Sequence, residues 1–203
     1  SLRRFAHYDY WSDIIMPSIL VDTQADMLLY GMSETQIKTL AHGLAKGWPI
    51  HKIKDIPGTC YMSRSLPKGN KYTLISSFEE VSTEKIKFAE AFQIQSREQN
   101  PFIGSTLVQK HGDLYLVQLP PAKPLSQSEM DELYRLPFTR TYHPRYKNAG
   151  GVPALQEVEF SVTDHRGCFG GCSFCAISFH QGRIIQNRSE TSVLDEIRLM
   201  THQ

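Results

Sequence analysis

Three of the four cysteines of this chain fall within eight residues, in the run Cys168-Phe169-Gly170-Gly171-Cys172-Ser173-Phe174-Cys175. Three thiolates on one short C-x3-C-x2-C loop can hold a metal group. A disulfide leaves an odd thiol and fits poorly at this separation. Two metal readings remain. In one, His180 completes a Cys3His zinc site, giving a binding module without catalysis. In the other, the cysteines hold three irons of a [4Fe–4S] cube and leave the fourth iron open. The Gly170-Gly171 pair gives a loop of little bulk, suited to a group larger than one ion. No second ligand pair stands at zinc-finger distance. Clusters that only carry electrons mostly have four cysteines, whereas an open metal position serves catalysis. Cys60, far upstream, reads as a small buried hydrophobe.

Composition excludes little. With 22 basic and 21 acidic residues, the charge gives no general case for nucleic acid or a membrane surface. No apolar run approaches the ~20 residues needed to cross a bilayer. Oxidation-sensitive thiols without a disulfide framework favour a reducing cytoplasm.

Along the chain, Asp26–Tyr30 reads as a buried strand. Gly31 ends it, and Ser33 with Gln36 forms a capping box for a helix that stops at Gly47. Ile37, Leu40, Ala41 and Leu44 fall on one face of that helix. Thr59–Met62 and Tyr72–Ile75 are short strands. Residues 81–99 form a helix capped by Ser82 or Thr83, with Ile86, Ala89 and Phe92 inward. Residues 106–110 and 113–117 form a hairpin around His111-Gly112. Pro120, Pro121 and Pro124 make a stiff linker, and Ser126 with Glu129 opens a helix that ends before Pro137. Gly150-Gly151 marks a boundary. Val158, Phe160 and Val162 alternate with polar Glu157, Glu159, Ser161 and Thr163, which predicts a strand. A helical pattern opens near Ser189, with Val193, Leu194, Ile197 and Met200 as its apolar residues, and still runs at Gln203. The expectation is a piece of a longer protein.

The cysteine loop, with an aromatic before its last cysteine, resembles the radical S-adenosylmethionine (AdoMet) superfamily. The runs Glu157–Thr163, His165–Cys168 and His180–Arg183 look like the YgiQ-like subgroup, as do Leu2–Trp11 and the stretch from Leu136-Pro137 to His143–Tyr146. The resemblance covers nearly the whole chain. It implies that Cys168, Cys172 and Cys175 bind a [4Fe–4S] cluster, that AdoMet chelates the open iron, and that Phe174 lies along the adenine. It also implies an unknown substrate and a reductant such as flavodoxin or ferredoxin.

Arg183 follows Gly182 and is a cofactor-binding candidate, because a guanidinium fork grips a carboxylate or phosphate. Its plain alternative is a surface ion pair. His165, Arg166, His180 and Arg188 are further cations near the loop; Arg188 otherwise pairs with an acid such as Glu190. His180 is otherwise a satisfied core histidine.

The fold class is therefore α/β. Residues 1–47 are expected to end a Rossmann-like, cobalamin-binding-like domain. The D-x-H-x-x-G motif that cobalamin would need is not in the chain. Residues 48–148 are expected to form a mixed connecting region. Residues 149–203 are expected to open a partial TIM-type barrel with its first βα unit. Most of that barrel would lie elsewhere, so the 203 residues alone are not expected to turn over AdoMet.

Overall fold

A computed structural model describes residues 2–69, 71–172 and 174–201. The chain divides into two compact units, Ser1–Pro124 with Cys168–Ile184, and Leu125–Gly167 with Ile185–Gln203.

The first unit is built on a five-stranded sheet. A short hairpin of β1 (His7–Asp9) and β2 (Ile14–Met16) leads to helix α1 (Ile19–Thr23), then β3 (Leu28–Leu29) and α2 (Glu34–Ala45). Next come β4 (Thr59–Ser63), β5 (Tyr72–Ile75), α3 (Phe78–Thr83), α4 (Lys85–Arg97), β6 (Thr106–His111) and β7 (Leu114–Gln118). The sheet order is β3-β4-β7-β6-β5. Only β5 and β6 run parallel, joined through α3 and α4. The hairpin β6–β7 is present as the turn at Gly112 predicts, with His111 opposite Leu114. β3 joins this sheet antiparallel to β4. The class is α/β with a mixed sheet, and residues on both sides of position 47 share it.

β6 and β7 are covered on both faces; Leu107, Val108, Leu116 and Val117 are fully buried. Two buried glutamines carry the N-terminal segment across the sheet. Gln109 Oε1 accepts from the Ala6 N–H at 2.8 Å. Gln118 Oε1 accepts from Arg4 Nε at 2.7 Å. Phe5 between them packs with Leu20, Cys60 and Leu107 in the main core.

The helices form where expected, but different faces are buried. In α2 the inward residues are Gln36, Leu40 and Gly43, while Ile37 and Leu44 are exposed. Gly43 explains the rotation: the Ile53 side chain lies 2.8 Å from where a Cβ would stand. The expected Ser33–Gln36 capping box does not form. Ser33 Oγ turns back to the Tyr30 and Gly31 carbonyls. Gln36 lies buried beneath Gly58, its Nε2 2.6 Å from that glycine's missing Cβ. With φ +77° and no room for a side chain, position 58 requires glycine.

The third helical segment begins earlier than position 81, because Ser77 and Glu80 make the reciprocal cap. Glu84 then takes an extended conformation and splits the segment in two. Ala91 faces the core, with Phe88 and Ile94 beside it. Ile86 and Ala89 point out.

The second unit contains α5 (Gln127–Tyr134), capped by Ser126 and Glu129 as predicted. It continues with α6 (Leu155–Val158) and β8 (His165–Arg166). The chain then passes through α7 (Ala176–Gln181) of the first unit and returns as β9 (Gln186–Asn187) and α8 (Glu190–Thr201).

The barrel strand expected over 157–163 is not present. That segment is α6 and a turn closed by Ser161 N–H to the Val158 carbonyl, and Val158 and Phe160 are exposed. A barrel strand needs parallel neighbours on both sides to satisfy its backbone. Among the described residues none pairs with this one, and β8 pairs antiparallel with β9. No barrel closes among the described residues.

α8 is held by its polar side. Its buried residues are Ser192 and Glu196, while Leu194 and Ile197 of the predicted stripe are exposed.

Candidate functional site

The loop opens at Cys168, whose sulfur accepts from the Gly170 N–H at 3.3 Å. A Cβ at Gly170 would stand 3.2 Å from Cys168 Sγ and 3.8 Å from Cys172 Sγ. The two sulfurs thus flank a space kept open by a missing side chain. The Cys175 N–H donates to the Cys172 carbonyl at 3.0 Å, and Cys175 is the N-cap of α7. The backbone N–H groups of Ser178 and Ile177 face its sulfur and hold the thiol below its ordinary pKa, although neither makes a full capping hydrogen bond. Cys168 and Cys172 are exposed and Cys175 is half-buried. Ser173 lies outside the described residues.

α7 fastens this loop to the first unit. Phe179 stacks on Phe92 with ring centroids 5.5 Å apart. On Phe179 also sits the Arg4 guanidinium, 5.2 Å from its ring centre and 4.4 Å from that of Tyr30. Gly182, at φ +83°, then ends the helix in a conformation that disfavours a side chain.

The remaining predicted residues separate. Phe174 is 89% exposed. The Arg183 guanidinium carbon lies 3.3 Å from the position of a Gly171 Cβ, so this side chain does reach the loop. His180 is half-buried. Burial lowers its pKa, the charge of Arg4 adds to that, and its buried Nδ1 has no hydrogen-bond partner. Among the described residues no three His, Cys, Asp or Glu side chains converge on one metal position, neither the three cysteines alone nor the cysteines with His180. Cys60 is structural; burial pushes its thiol up to about 12.

His165, Arg166 and Arg188 belong to the second unit. His165 pairs with Asp164, and Arg166 Nε donates to Tyr134 Oη at 3.1 Å. Arg188 is no surface cation. It is buried, lies over the Tyr134 ring at 4.2 Å, and bonds Glu196, the Ser192 carbonyl and the Thr163 carbonyl. Its acid is Glu196, which Arg140 also grips, and not Glu190.

A family model described as Radical SAM N-terminal matches residues 1–161. The chain belongs to this radical SAM family. A UPF0313 protein of Clostridium botulinum (strain 657 / Type Ba4) is 55% identical over 202 residues, covering 100% of this chain and 32% of the relative. A UPF0313 protein of Clostridium perfringens (strain 13 / Type A) is 51% identical, covering 99% of this chain and 30% of the relative. UPF0313 is the family of the YgiQ-like radical SAM proteins. The chain spans about a third of the length of these curated relatives. No solved structure matches it. The radical SAM N-terminal match ends before Cys168, whereas the relatives extend across the loop.

The donor chemistry suits the cofactor of a radical SAM protein: three accessible cysteines, a glycine-lined space between two of them, and a third thiol eased toward thiolate. The sulfurs would still have to turn inward to share one group. Sequence reasoning missed Arg97 and Gln99, which line a cavity of about 360 Å³ together with Arg183. Nothing in the sequence pairs positions so far apart; only packing of α4 against the segment after α7 does.

Proposed function

We propose that this chain is part of a cytoplasmic radical AdoMet enzyme, in which Cys168, Cys172 and Cys175 are the three protein ligands of a [4Fe–4S] cluster. When bound, cluster and AdoMet would together supply reductive cleavage of a carbon–sulfur bond, giving methionine and a 5′-deoxyadenosyl radical that takes hydrogen from a substrate. The observation that carries the reading is the space beside Gly170, bordered by two cysteine sulfurs. A side chain there would occupy the place of the cluster.

This chain's residues have the following parts. The three thiolates bind metal and leave one corner without a protein ligand. The Ser178 and Ile177 N–H groups favour the thiolate of Cys175. Phe174, bare to solvent, is free to lie along a planar adenine. Arg183, beside the Gly171 backbone, offsets negative charge on the loop or holds a carboxylate. The substrate class is open, and the reductant is of the flavodoxin or ferredoxin kind.

The test uses the full-length protein, reconstituted without oxygen. About four irons per chain and broad absorption near ~400 nm are expected, with 5′-deoxyadenosine formed from AdoMet under reduction. Cys172→Ala should lose the iron. Colourless protein with one tightly held zinc, or full iron content in Cys172→Ala, would overturn the reading.

A further inference from the structure

The cavity of about 360 Å³ at the end of α4 is lined by Ser96, Arg97, Gln99, Asn100 and Arg183, with Pro101 and Ile184 completing the wall. None of these is acidic. Neither arginine has an ion-pair partner among the described residues. The adjacent carboxylate, Glu98, is already engaged: its Oε2 accepts from the Ser105 N–H at 2.6 Å and the Ser105 hydroxyl at 2.8 Å.

Gln99 adds an independent observation. Its Nε2 is buried and has no acceptor. Buried donors are almost always paired, since an unpaired one forfeits its hydration without return. Gln99, whose Nε2 is covered from solvent, lines one cavity with Arg97 and Arg183, and all three carry side-chain N–H donors. Their common complement is an oxyanion with several lone pairs, which arginine forks bind in two places at once.

The wall is firm. Asn100 Oδ1 accepts from the Phe102 N–H at 2.9 Å, and the Asn100 carbonyl accepts from the Gly104 N–H at 2.8 Å. A Cβ at Gly104 would stand 2.7 Å from the carbonyl oxygens of both Asn100 and Glu98, so the turn closes tightly. The turn after α4 is therefore fixed by its own hydrogen bonds.

We propose that this cavity is an oxyanion site, binding the phosphate or carboxylate group of a small molecule through Arg97, Arg183 and Gln99. It needs no metal to form, so it stands apart from the cluster reading. Because Arg183 also lies against Gly171, a ligand held here is held beside the cysteine loop.

The test titrates the 203-residue chain at constant ionic strength, with inorganic phosphate in one arm and methionine, as a carboxylate source, in the other. Arginine Nε–H and glutamine side-chain amide resonances are followed by NMR. Saturable shifts of Gln99, Arg97 and Arg183 are expected in at least one arm. Saturation by phosphate assigns a phosphoryl ligand, and saturation by methionine alone assigns a carboxylate. Arg97→Gln, at an exposed helix position, should weaken binding about tenfold or more, the loss of one charge-assisted contact. Gln99→Leu keeps the bulk, removes the donor and should weaken it as well. Linear shifts shared by all basic residues, or unchanged affinity in both folded variants, would overturn the proposal.

Discussion

His111 should make the first unit acid-labile well above the pH at which carboxylates titrate. It ends β6, 7% exposed, stacked on Phe78 with centroids 5.4 Å apart. Its Nε2 lies 3.1 Å from Gln109 Oε1. Gln109 Nε2 donates to the Ser76 carbonyl, so Oε1 is an acceptor and the imidazole carries its hydrogen on Nε2. Nδ1 is buried without a partner, and a proton placed there has nothing to bond. Burial lowers the pKa to about 4, against the pull of Glu79. In the unfolded chain the value is about 6.5. The folded pKa is the lower one, so the unfolded state takes the proton first. Stability is complete above pH ~6.5 and drains away as pH falls toward 4. Between pH 7 and 4.5 the loss is about 2 kcal/mol, because most but not all of the gap between 6.5 and 4, at 1.36 kcal/mol per pH unit, is crossed in that range. Urea unfolding by circular dichroism, for wild type and His111→Phe, isolates this contribution. Phenylalanine keeps the stack on Phe78 and cannot titrate. The wild type should lose about 2 kcal/mol relative to the variant across that range. Parallel pH profiles would refute the argument.

Three further outcomes follow from the same contacts. Glu196→Ala strips the carboxylate from buried Arg188 and from Arg140, and should destabilise the second unit by about 3 kcal/mol, the scale for an orphaned buried charge; a urea-derived change below about 1 kcal/mol would contradict the role given to Arg188. Brief alkylation of the native, metal-free chain should label Cys168, Cys172 and Cys175 and spare Cys60, whose thiol is buried and pushed up to about 12; peptide mass spectrometry showing early Cys60 modification would show the core to be open. Gly170→Val in the full-length protein should leave the fold intact by circular dichroism yet cut iron loading several-fold, since its side chain enters the space between two sulfurs; normal loading would mean the cluster does not use that space.

What could be read from the sequence was local chemistry. The β6–β7 hairpin, the Ser126–Glu129 cap and the strands near 59–63 and 72–75 depend on residues a few positions apart, and each formed. What could not be read was which side of a helix the rest of the chain covers. Apolar spacing pointed to Ile37 and Leu44 in α2, but Gly43 let Ile53 approach and Gln36 went inward instead. In α8 the apolar stripe was outbid by a buried ion pair, because Arg188 brought Glu196 and Ser192 in with it. The alternation over 157–163 was a true strand pattern without a strand to pair with among the described residues. The cysteines announced themselves by spacing; Arg97 and Gln99 carried no such mark.

The anchoring of the cysteine loop is uneven, and that bears on how it would receive a metal group. Its C-terminal side is fixed: Phe179 is held between Phe92 and Arg4, and Arg4 is tied in turn to Gln118 on β7. Cys175, at the N-cap position of α7, inherits that position. Its N-terminal side is not fixed in this way; Cys168 and Cys172 are exposed, and the backbone between them passes through two glycines. Of the three proposed ligands, one is thus held by the fold while the other two are exposed. On that proposal, three donors that do not converge beforehand would be brought together by the group they bind. Binding would then supply the ordering that packing does not, as with metal sites whose assembly is coupled to folding.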